Sequence, residues 1–249
     1  LYIADTDGTL YTSTDLGATW SALDAKMNYI YGGYGDILLG ARRDDDGWHQ
    51  VTWPASASEP LLPEGCPVSG TSQLITYESK WTSAPMALMI GGTDASGKPT
   101  GDAWTFDSNS WHRVSTLGIE ALSGVTLFPY YTPYSITGYW NVGEQSVLLA
   151  MGGSNGSSAS KTVYVSRDMG ITWAKGNVYL QFPDAFPAFH SAQAFVIDST
   201  ASVDARVSRP ITSWEIPYIY LYGGIRADGS LITDVSRGVI NRFTFKPLQ

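Results

Sequence analysis

The sequence predicts an all-β fold, a β-propeller of four-stranded blades, and three observations point to it. A hairpin motif occurs twice with the same spacing, a glycine pair follows an apolar run three times, and no long window keeps a helical period. Recurring short strand units of this kind are the sequence signature of propellers. Aromatic residues, which suit the pleated surface of strands, make up 13% of the chain and strengthen this interpretation.

The first repeat is Ser-x-Asp-x-Gly-x-Thr-Trp, found at Ser13–Trp20 and again at Ser166–Trp173. We expect a strand to end at the serine, the aspartate to accept backbone N–H groups in the turn, and the glycine to adopt a positive φ. The tryptophan then begins the next strand as a large buried anchor. The motif therefore predicts a hairpin that caps itself.

The second repeat is a glycine pair after an apolar run. Its copies end at Gly91-Gly92, Gly152-Gly153 and Gly223-Gly224. An aspartate follows the first and third pairs by ten residues, at Asp102 and Asp234. Four runs rich in β-branched and aromatic residues are predicted strands: Gln73–Tyr77, Ala194–Ile197, Tyr218–Tyr222 and Arg242–Phe245.

A third repeat consists of two similar segments, Trp48-His49-Gln50-Val51 and Trp111-His112-Arg113-Val114. The aromatic residues that mark outer strands are then Trp20, Trp48, Trp111, Trp173 and Phe243. At about 50 residues per mark, we expect one propeller domain over residues 1–249 with five four-stranded blades. The first blade lacks an upstream inner strand and the second is short. Six blades, or a further segment before Leu1, are therefore the alternatives.

Charge and composition exclude several classes of binding partner. The net charge of −8 and the lack of a Lys/Arg cluster argue against nucleic acid and against anionic membrane surfaces. No apolar run reaches the roughly 18 residues of a membrane helix, so we expect no membrane insertion by this chain. The single cysteine, Cys66, cannot form an internal disulfide and lies in a Pro- and Gly-rich stretch.

These motifs resemble two known propeller types. The glycine pairs with spaced aromatic residues are similar to kelch repeats, with Ser236 and Phe243 in place of the expected aromatic residue and tryptophan. The hairpins Ser13–Trp20 and Ser166–Trp173 resemble Asp-boxes, which occur in sialidases and related secreted propellers. The combination resembles propellers of the bacterial cell envelope and implies an extracytoplasmic location, whether periplasmic, cell-surface or secreted. Both motifs are structural in their families, so the resemblance implies no catalytic role for their aspartates.

No catalytic or cofactor-binding set stands out. The late arginines show no sialidase-like spacing: Arg206, Arg209, Arg226, Arg237 and Arg242. Copper chemistry of the galactose-oxidase type would need a Cys–Tyr crosslink with His and Tyr ligands. The sequence offers one cysteine and three histidines, and two of these, His49 and His112, occupy equivalent repeat positions, which argues against copper. Glycosidase acids about 5–9 Å apart would have to come from residues such as Asp5, Asp36 and Glu78, which no spacing selects. We expect neither a metal nor a cofactor.

One loop cluster is the candidate binding surface. In a propeller, the loops between second and third strands share a face with the segments that join blades. Six candidate ligand-binding residues lie there: Phe182, Asp184, Phe186, His190, Arg226 and Asp228. Exposed aromatic rings beside carboxylates suit sugar or peptide stacking, although we prefer the interpretation that the phenylalanines seal neighbouring blades. Two insertions on the opposite face, Tyr130–Trp140 and Asp198–Pro217, are candidate protein contacts.

The sequence therefore predicts a noncatalytic binding or scaffold propeller whose ligand is a carbohydrate or a protein. The alternative is a carbohydrate-active enzyme of glycoside-hydrolase type with an acid pair that the sequence does not reveal. An enzyme needs two acids that converge near the central channel, whereas a binding domain needs only a shaped surface. The fold alone does not decide between them.

Overall fold

In the computed structural model, the described residues form strands, turns and connecting segments, and none of them lies in a helix. The structure describes residues 1–34, 36–56, 58–68, 73–78, 85–106, 110–114, 116–132, 145–168, 170–176, 181–197, 218–239 and 246–247. Over these ranges, no helix has the length and apolarity that crossing a membrane requires. The all-β prediction is confirmed for this part of the chain.

The chain divides into two compact units, residues 1–114 and 115–249. In the described part of the first unit, consecutive strands pair antiparallel in three sheets. Sheet 1 contains β1 (Tyr2–Ala4), β2 (Thr9–Thr12) and β3 (Ser21–Lys26). Sheet 2 contains β4 (Tyr29–Tyr34), β5 (Ile37–Asp44) and β6 (Gly47–Trp53). Sheet 3 has four strands, β7 (Gln73–Glu78), β8 (Pro85–Ile90), β9 (Ala103–Phe106) and β10 (Trp111–Val114).

The described residues of the second unit form two four-stranded sheets and one two-stranded pair. Sheet 4 contains β11 (Thr126–Thr132), β12 (Gln145–Met151), β13 (Val163–Ser166) and β14 (Ala174–Lys175). The pair is β15 (Phe189–His190) with β18 (Ile225–Arg226). Sheet 5 contains β16 (Gln193–Ile197), β17 (Tyr218–Tyr222), β19 (Ser236–Val239) and β20 (Lys246–Pro247). The number of blades and the single-domain extent stay predictions.

The second strands of sheets 3 and 4 explain the unbroken apolar runs that precede the glycine pairs. The stretches Ala87–Ile90 and Leu148–Met151 are buried at every residue. A strand that is covered on both faces is apolar at consecutive positions, whereas a half-exposed strand alternates. These central strands pack into the core of each unit, with Trp104 and Trp111 in the first unit and Phe189 in the second.

The two repeat hairpins have the predicted internal hydrogen bonds. In the first, the Ser13 hydroxyl donates to Asp15 at 2.8 Å, and Asp15 accepts the Thr19 N–H at 2.9 Å. The hydroxyl of Thr19, its backbone N–H and the Ser13 hydroxyl together lower the pKa of Asp15 to about 2. Gly17 has a φ of 92°, which relieves the steric cost of the turn. The self-capped hairpin is therefore confirmed.

The tryptophans of the two hairpins differ in burial, which corrects the expectation of two buried anchors. Both indoles donate to a glycine carbonyl of their own turn, at 3.1 Å for Trp20 and 3.0 Å for Trp173. Trp173 is 5% exposed and Trp20 is 37% exposed. Residue Leu117 pairs with the second hairpin, where its carbonyl accepts the Trp173 N–H at 2.8 Å. Within the described residues, no equivalent segment pairs with the first hairpin.

The prediction that Trp48 begins an outer strand is wrong. Trp48 lies in β6, the third strand of its sheet, whereas Trp111 begins the fourth strand of sheet 3. The fourth position in sheet 2 is taken by a short stretch around Leu61, which bridges to His49. The predicted strands at 73–77, 194–197 and 218–222 are confirmed, and the one at Arg242–Phe245 lies outside the described residues.

Candidate functional site

The stretch 181–190 leads from sheet 4 to sheet 5 and carries four of the six predicted ligand-binding residues. Its last two residues form β15, in which Phe189 pairs with Arg226 and His190 pairs with Ile225. The turn that carries Arg226 closes through a bridge between Ile225 and Leu231. The structure therefore brings together the two loops that the sequence predicted for the binding surface.

Three phenylalanines of this stretch form one aromatic cluster. The rings of Phe182 and Phe186 stack with centroids 4.6 Å apart, and Phe189 meets Phe182 edge to face at 5.3 Å. Phe182 is only 4% exposed, so its ring packs against its neighbours and does not present a face to solvent. Phe186 is half-buried and packs against the same core cluster. These contacts are those of the sealing role that we preferred from the sequence.

Phe189 explains why sheet 4 carries its glycine pair. The carbonyl of Phe189 accepts the Gly153 N–H at 2.9 Å, and its own N–H donates to Ser160 at 3.0 Å. A Cβ at Gly152 would lie 2.6 Å from the Phe189 carbonyl oxygen and 2.7 Å from its ring. Only a residue without a side chain allows Phe189 to come this close to Gly152. The stretch 181–190 therefore packs against sheet 4 at the glycine pair.

The Arg226 depression lies beside Phe186 and has a volume of about 260 Å³. Its walls are formed by five apolar residues with one cation, one carboxylate and one hydroxyl: Pro183, Ala185, Phe186, Pro187, Ile232, Arg226, Asp234 and Ser236. The guanidinium of Arg226 is oriented by its own turn, because its Nη1 donates to the Leu231 carbonyl at 2.8 Å and to the Ser230 hydroxyl at 3.2 Å. The sequence marked Asp234 only as a repeat position, and Ile232 carried no signal of its own.

Two other predicted site residues lie apart from this depression. Asp228 accepts the N–H and hydroxyl of Ser230 at 2.9 Å and 2.6 Å, and these bonds, that of the hydroxyl first, lower the pKa of Asp228. Asp184 lines a second depression of about 240 Å³ with Lys161, whose ammonium donates to the Asp184 carbonyl at 3.0 Å. Asp228 thus caps a turn, and Asp184 and Lys161 mark a separate surface.

His190 lies between the two loops and is half-buried. Its Nδ1 lies 3.1 Å from the Ser191 hydroxyl. Burial lowers the pKa of His190, because desolvation disfavours the charged ring. The ring is therefore neutral near pH 7 and can both donate and accept a hydrogen bond.

The three acids considered for a glycosidase are Asp5, Asp36 and Glu78. Asp5 caps the β1–β2 hairpin by accepting the amides of Asp7 and Thr9 at 3.1 Å and 2.9 Å. Asp36 is exposed in the turn between β4 and β5, and the side chain of Glu78 lies outside the described part of the chain. Both predicted insertions lie wholly or partly outside the described residues: all of Asp198–Pro217, which includes Arg206 and Arg209, and residues 133–140 of the other. Arg242 and Phe243 also lie outside them.

A charged cluster in the first unit holds the stretch around Glu59 onto β6. Arg42 Nη2 donates to Asp44 at 2.8 Å and to Glu59 at 2.7 Å. The two ring nitrogens of His49 lie 2.8 Å from the Glu59 carbonyl and 2.8 Å from the Asp46 carboxylate. These contacts, that of Glu59 first, raise the pKa of His49, because a protonated ring donates to both acceptors.

Cys66 is buried among the core residues of the first unit. Burial raises the pKa of its thiol to about 12, so the reactive thiolate is scarce at neutral pH. Within the described ranges, no group of three or more His, Cys, Asp or Glu side chains is placed to hold a metal ion.

A family model described as the DUF6242 beta propeller domain matches residues 1–248. The match covers almost the whole chain and confirms the predicted propeller fold. No curated protein matches the chain.

Proposed function

The chain belongs to the DUF6242 beta propeller family, and from this premise we propose that it is a noncatalytic binding domain whose ligand is a carbohydrate or a protein. We place the ligand in the Arg226 depression and the protein outside the cytoplasm.

The chemistry of the Arg226 depression carries this proposal. Small-ligand sites combine an apolar lining with a few fixed polar groups. Here Pro187 and Phe186 supply the apolar wall, Arg226 supplies donors from a guanidinium that its own turn orients, and Asp234 supplies an acceptor. A sugar ring or an extended peptide presents the matching surface, because each combines apolar patches with hydrogen-bonding groups.

Structural roles for five of the described carboxylates support binding without catalysis. General acid–base chemistry on a glycoside needs two carboxyl groups that are free to exchange protons with the substrate. Asp15, Asp168 and Asp228 instead accept turn hydrogen bonds, and Asp44 and Glu59 hold Arg42. Their pairing with backbone amides or cations makes them structural groups.

The extracytoplasmic location rests on the Asp-box resemblance of the two repeat hairpins. A buried thiol with a raised pKa is compatible with an oxidising compartment, since it resists exchange with other thiols. Expression of the full-length protein followed by protease accessibility on intact cells would test this location directly.

The first experiment incubates the purified chain with a panel of glycans and polysaccharides and records retention and released sugar together. Retention without release, weakened about tenfold or more by Arg226→Ala, is the expected result, because a charge-assisted hydrogen bond is lost. Arg167→Ala is the matched control, since it removes an exposed guanidinium from a repeat hairpin in the same unit. Circular dichroism would verify that both variants fold.

Released sugar would overturn the noncatalytic assignment in favour of the enzyme alternative. Retention that Arg226→Ala leaves unchanged would remove the ligand from this depression. If no glycan were retained, the carbohydrate assignment would fail, and a protein ligand would be sought with the same pair of variants.

A further inference from the structure

The turn that carries Arg226 has the same backbone hydrogen bonds as the turn after the first glycine pair. The carbonyl of Asp94 accepts the Gly97 N–H at 2.9 Å, and the carbonyl of Arg226 accepts the Gly229 N–H at 2.9 Å. The N–H groups of Asp94 and Arg226 each donate to the carbonyl four residues later, at 3.0 Å and 2.8 Å. Both glycines have a φ of 82°. Arg226 therefore occupies the position that Asp94 has in the first unit.

The side chains that cap these two turns differ in position. In the first turn, Asp94 Oδ1 accepts the Ser96 N–H at 2.8 Å and the Lys98 N–H at 3.0 Å. In the second turn, Asp228 caps the backbone by accepting the Ser230 N–H at 2.9 Å. Because an aspartate is enough to cap either turn, the turn itself does not require an arginine.

One edge of the Arg226 guanidinium is free to bind a ligand. The guanidinium contacts its own turn only through Nη1, which donates to the Ser230 hydroxyl and to the Leu231 carbonyl. Within the part of the chain that the structure describes, no group accepts a hydrogen bond from Nε or Nη2 of this residue. These two nitrogens form an edge of the planar fork that can hold both oxygens of a carboxylate.

Asp234 lines the same depression with a second unpaired group. Asp102, which follows its glycine pair by the same ten residues, forms an ion pair with Arg113 at 2.8 Å. The carboxylate of Asp234 is exposed and, among the described residues, forms neither a hydrogen bond nor an ion pair, including with Arg226. Since an ionised carboxylate accepts hydrogen bonds at both oxygens, Asp234 can hold two neighbouring hydroxyl groups.

We propose that the ligand of the Arg226 depression is a uronic acid unit of an acidic polysaccharide, that is, a sugar ring that carries a carboxylate. This inference rests on the proposed binding function and specifies its ligand. The sugar carboxylate binds the Nε–Nη2 edge of Arg226, two neighbouring hydroxyls donate to Asp234, and the C–H face of the ring packs against Phe186 and Pro187.

The size and polarity of the depression favour a single sugar unit over a peptide. Its volume of about 260 Å³ lies below the roughly 300–1,000 Å³ of sites for drug-sized ligands, so it accommodates one ring. An acidic peptide side chain supplies a carboxylate for Arg226, but it lacks the pair of neighbouring hydroxyl donors that matches Asp234.

Matched polysaccharides test the role of the carboxylate. Polygalacturonate, alginate and hyaluronan, each beside its methyl-esterified form, would be immobilised, and binding of the purified chain would be followed by biolayer interferometry. Esterification keeps the ring and its hydroxyls but removes the charge, so affinity for at least one of the three should fall about tenfold or more. Dextran sulfate, a polyanion without carboxylates, is the control for charge alone and should bind no better than the esters.

Conservative variants test the two polar groups. Arg226→Lys keeps the positive charge but loses the fork, so it should weaken binding of the acid form about tenfold. Arg113→Lys makes the same exchange at an exposed guanidinium of the first unit and should leave binding unchanged. Asp234→Asn keeps only one acceptor oxygen and should also weaken binding. Circular dichroism would verify that the variants fold.

Several results would overturn the uronic acid inference while the binding function stands. These are equal binding of acid and ester forms, equal binding by Arg226→Lys and the unchanged chain, tight binding of dextran sulfate, or stronger binding by Asp234→Asn. The last of these would mean that Asp234 only repels the ligand. If no glycan of any kind were retained, the carbohydrate assignment and this inference would fail together, and acidic peptides would be tested next.

Discussion

Replacement of Trp173 by alanine tests whether burial of the hairpin tryptophan depends on its surroundings. Trp173 is enclosed in the second unit, and truncation of a buried tryptophan costs about 3–5 kcal/mol through lost transfer energy and the cavity that remains. Trp20 has the same motif and the same indole hydrogen bond, but about a third more of its side chain is exposed. For a side chain that buries ~200 Å², this difference alone corresponds to roughly 2 kcal/mol.

Urea unfolding followed by far-UV circular dichroism would measure both variants. We expect Trp173→Ala to lower the free energy of unfolding by about 3–5 kcal/mol and Trp20→Ala by about 1–3 kcal/mol, because solvent fills the space left by Trp20. Trp173→Phe keeps most of the apolar volume and removes the indole donor, so it should cost only about 1–2 kcal/mol. If Trp20→Ala were as damaging as Trp173→Ala, the inference that tertiary cover distinguishes the two hairpins would be refuted.

Two further predictions concern the glycine pairs and pH. Gly152→Ala should destabilise the chain by about 3–5 kcal/mol, and Gly223→Ala by about 1–2 kcal/mol, since both have φ near +66° but only the first would bring its Cβ against backbone. Equal losses in thermal denaturation would show that φ strain alone explains them. The raised pKa of His49 stabilises the fold below about pH 6.5, the unfolded value, and this contribution disappears as pH rises through the higher folded value. His49→Gln should therefore lower the melting temperature more at about pH 5.5 than at about pH 8.5; an equal drop would contradict that role.

Local interactions made much of the fold predictable. The repeat hairpin closes within eight residues, so Ser166, Asp168 and Gly170 contain the information for their own turn. The turns at the glycine pairs were predictable for the same reason, because a positive φ at two successive positions excludes most other residues. Continuous apolar runs identified the central strands, since burial on both faces leaves no polar position.

The candidate site was predictable only in outline. The stretch 181–190 stood out by its composition, and β15 does pair it with the Arg226 turn. The sequence did not distinguish Phe182, which packs inside, from Phe186, which borders the depression. Both lie in one Pro-rich run, and their difference arises from which neighbours cover them.

The tertiary structure alone decided the burial of equivalent residues. Trp20 and Trp173 have identical motifs, yet Trp20 is 37% exposed and Trp173 is 5% exposed. Hydrogen bonds inside a turn depend on residues a few positions apart, so the local sequence encodes them. Burial depends on segments that are distant in sequence, such as the segment at Leu117, whose backbone pairs with the Trp173 hairpin, and β11, which pairs with β12. Sequence repeats therefore determined the turns and strands of this propeller, and long-range packing determined which of their side chains are buried.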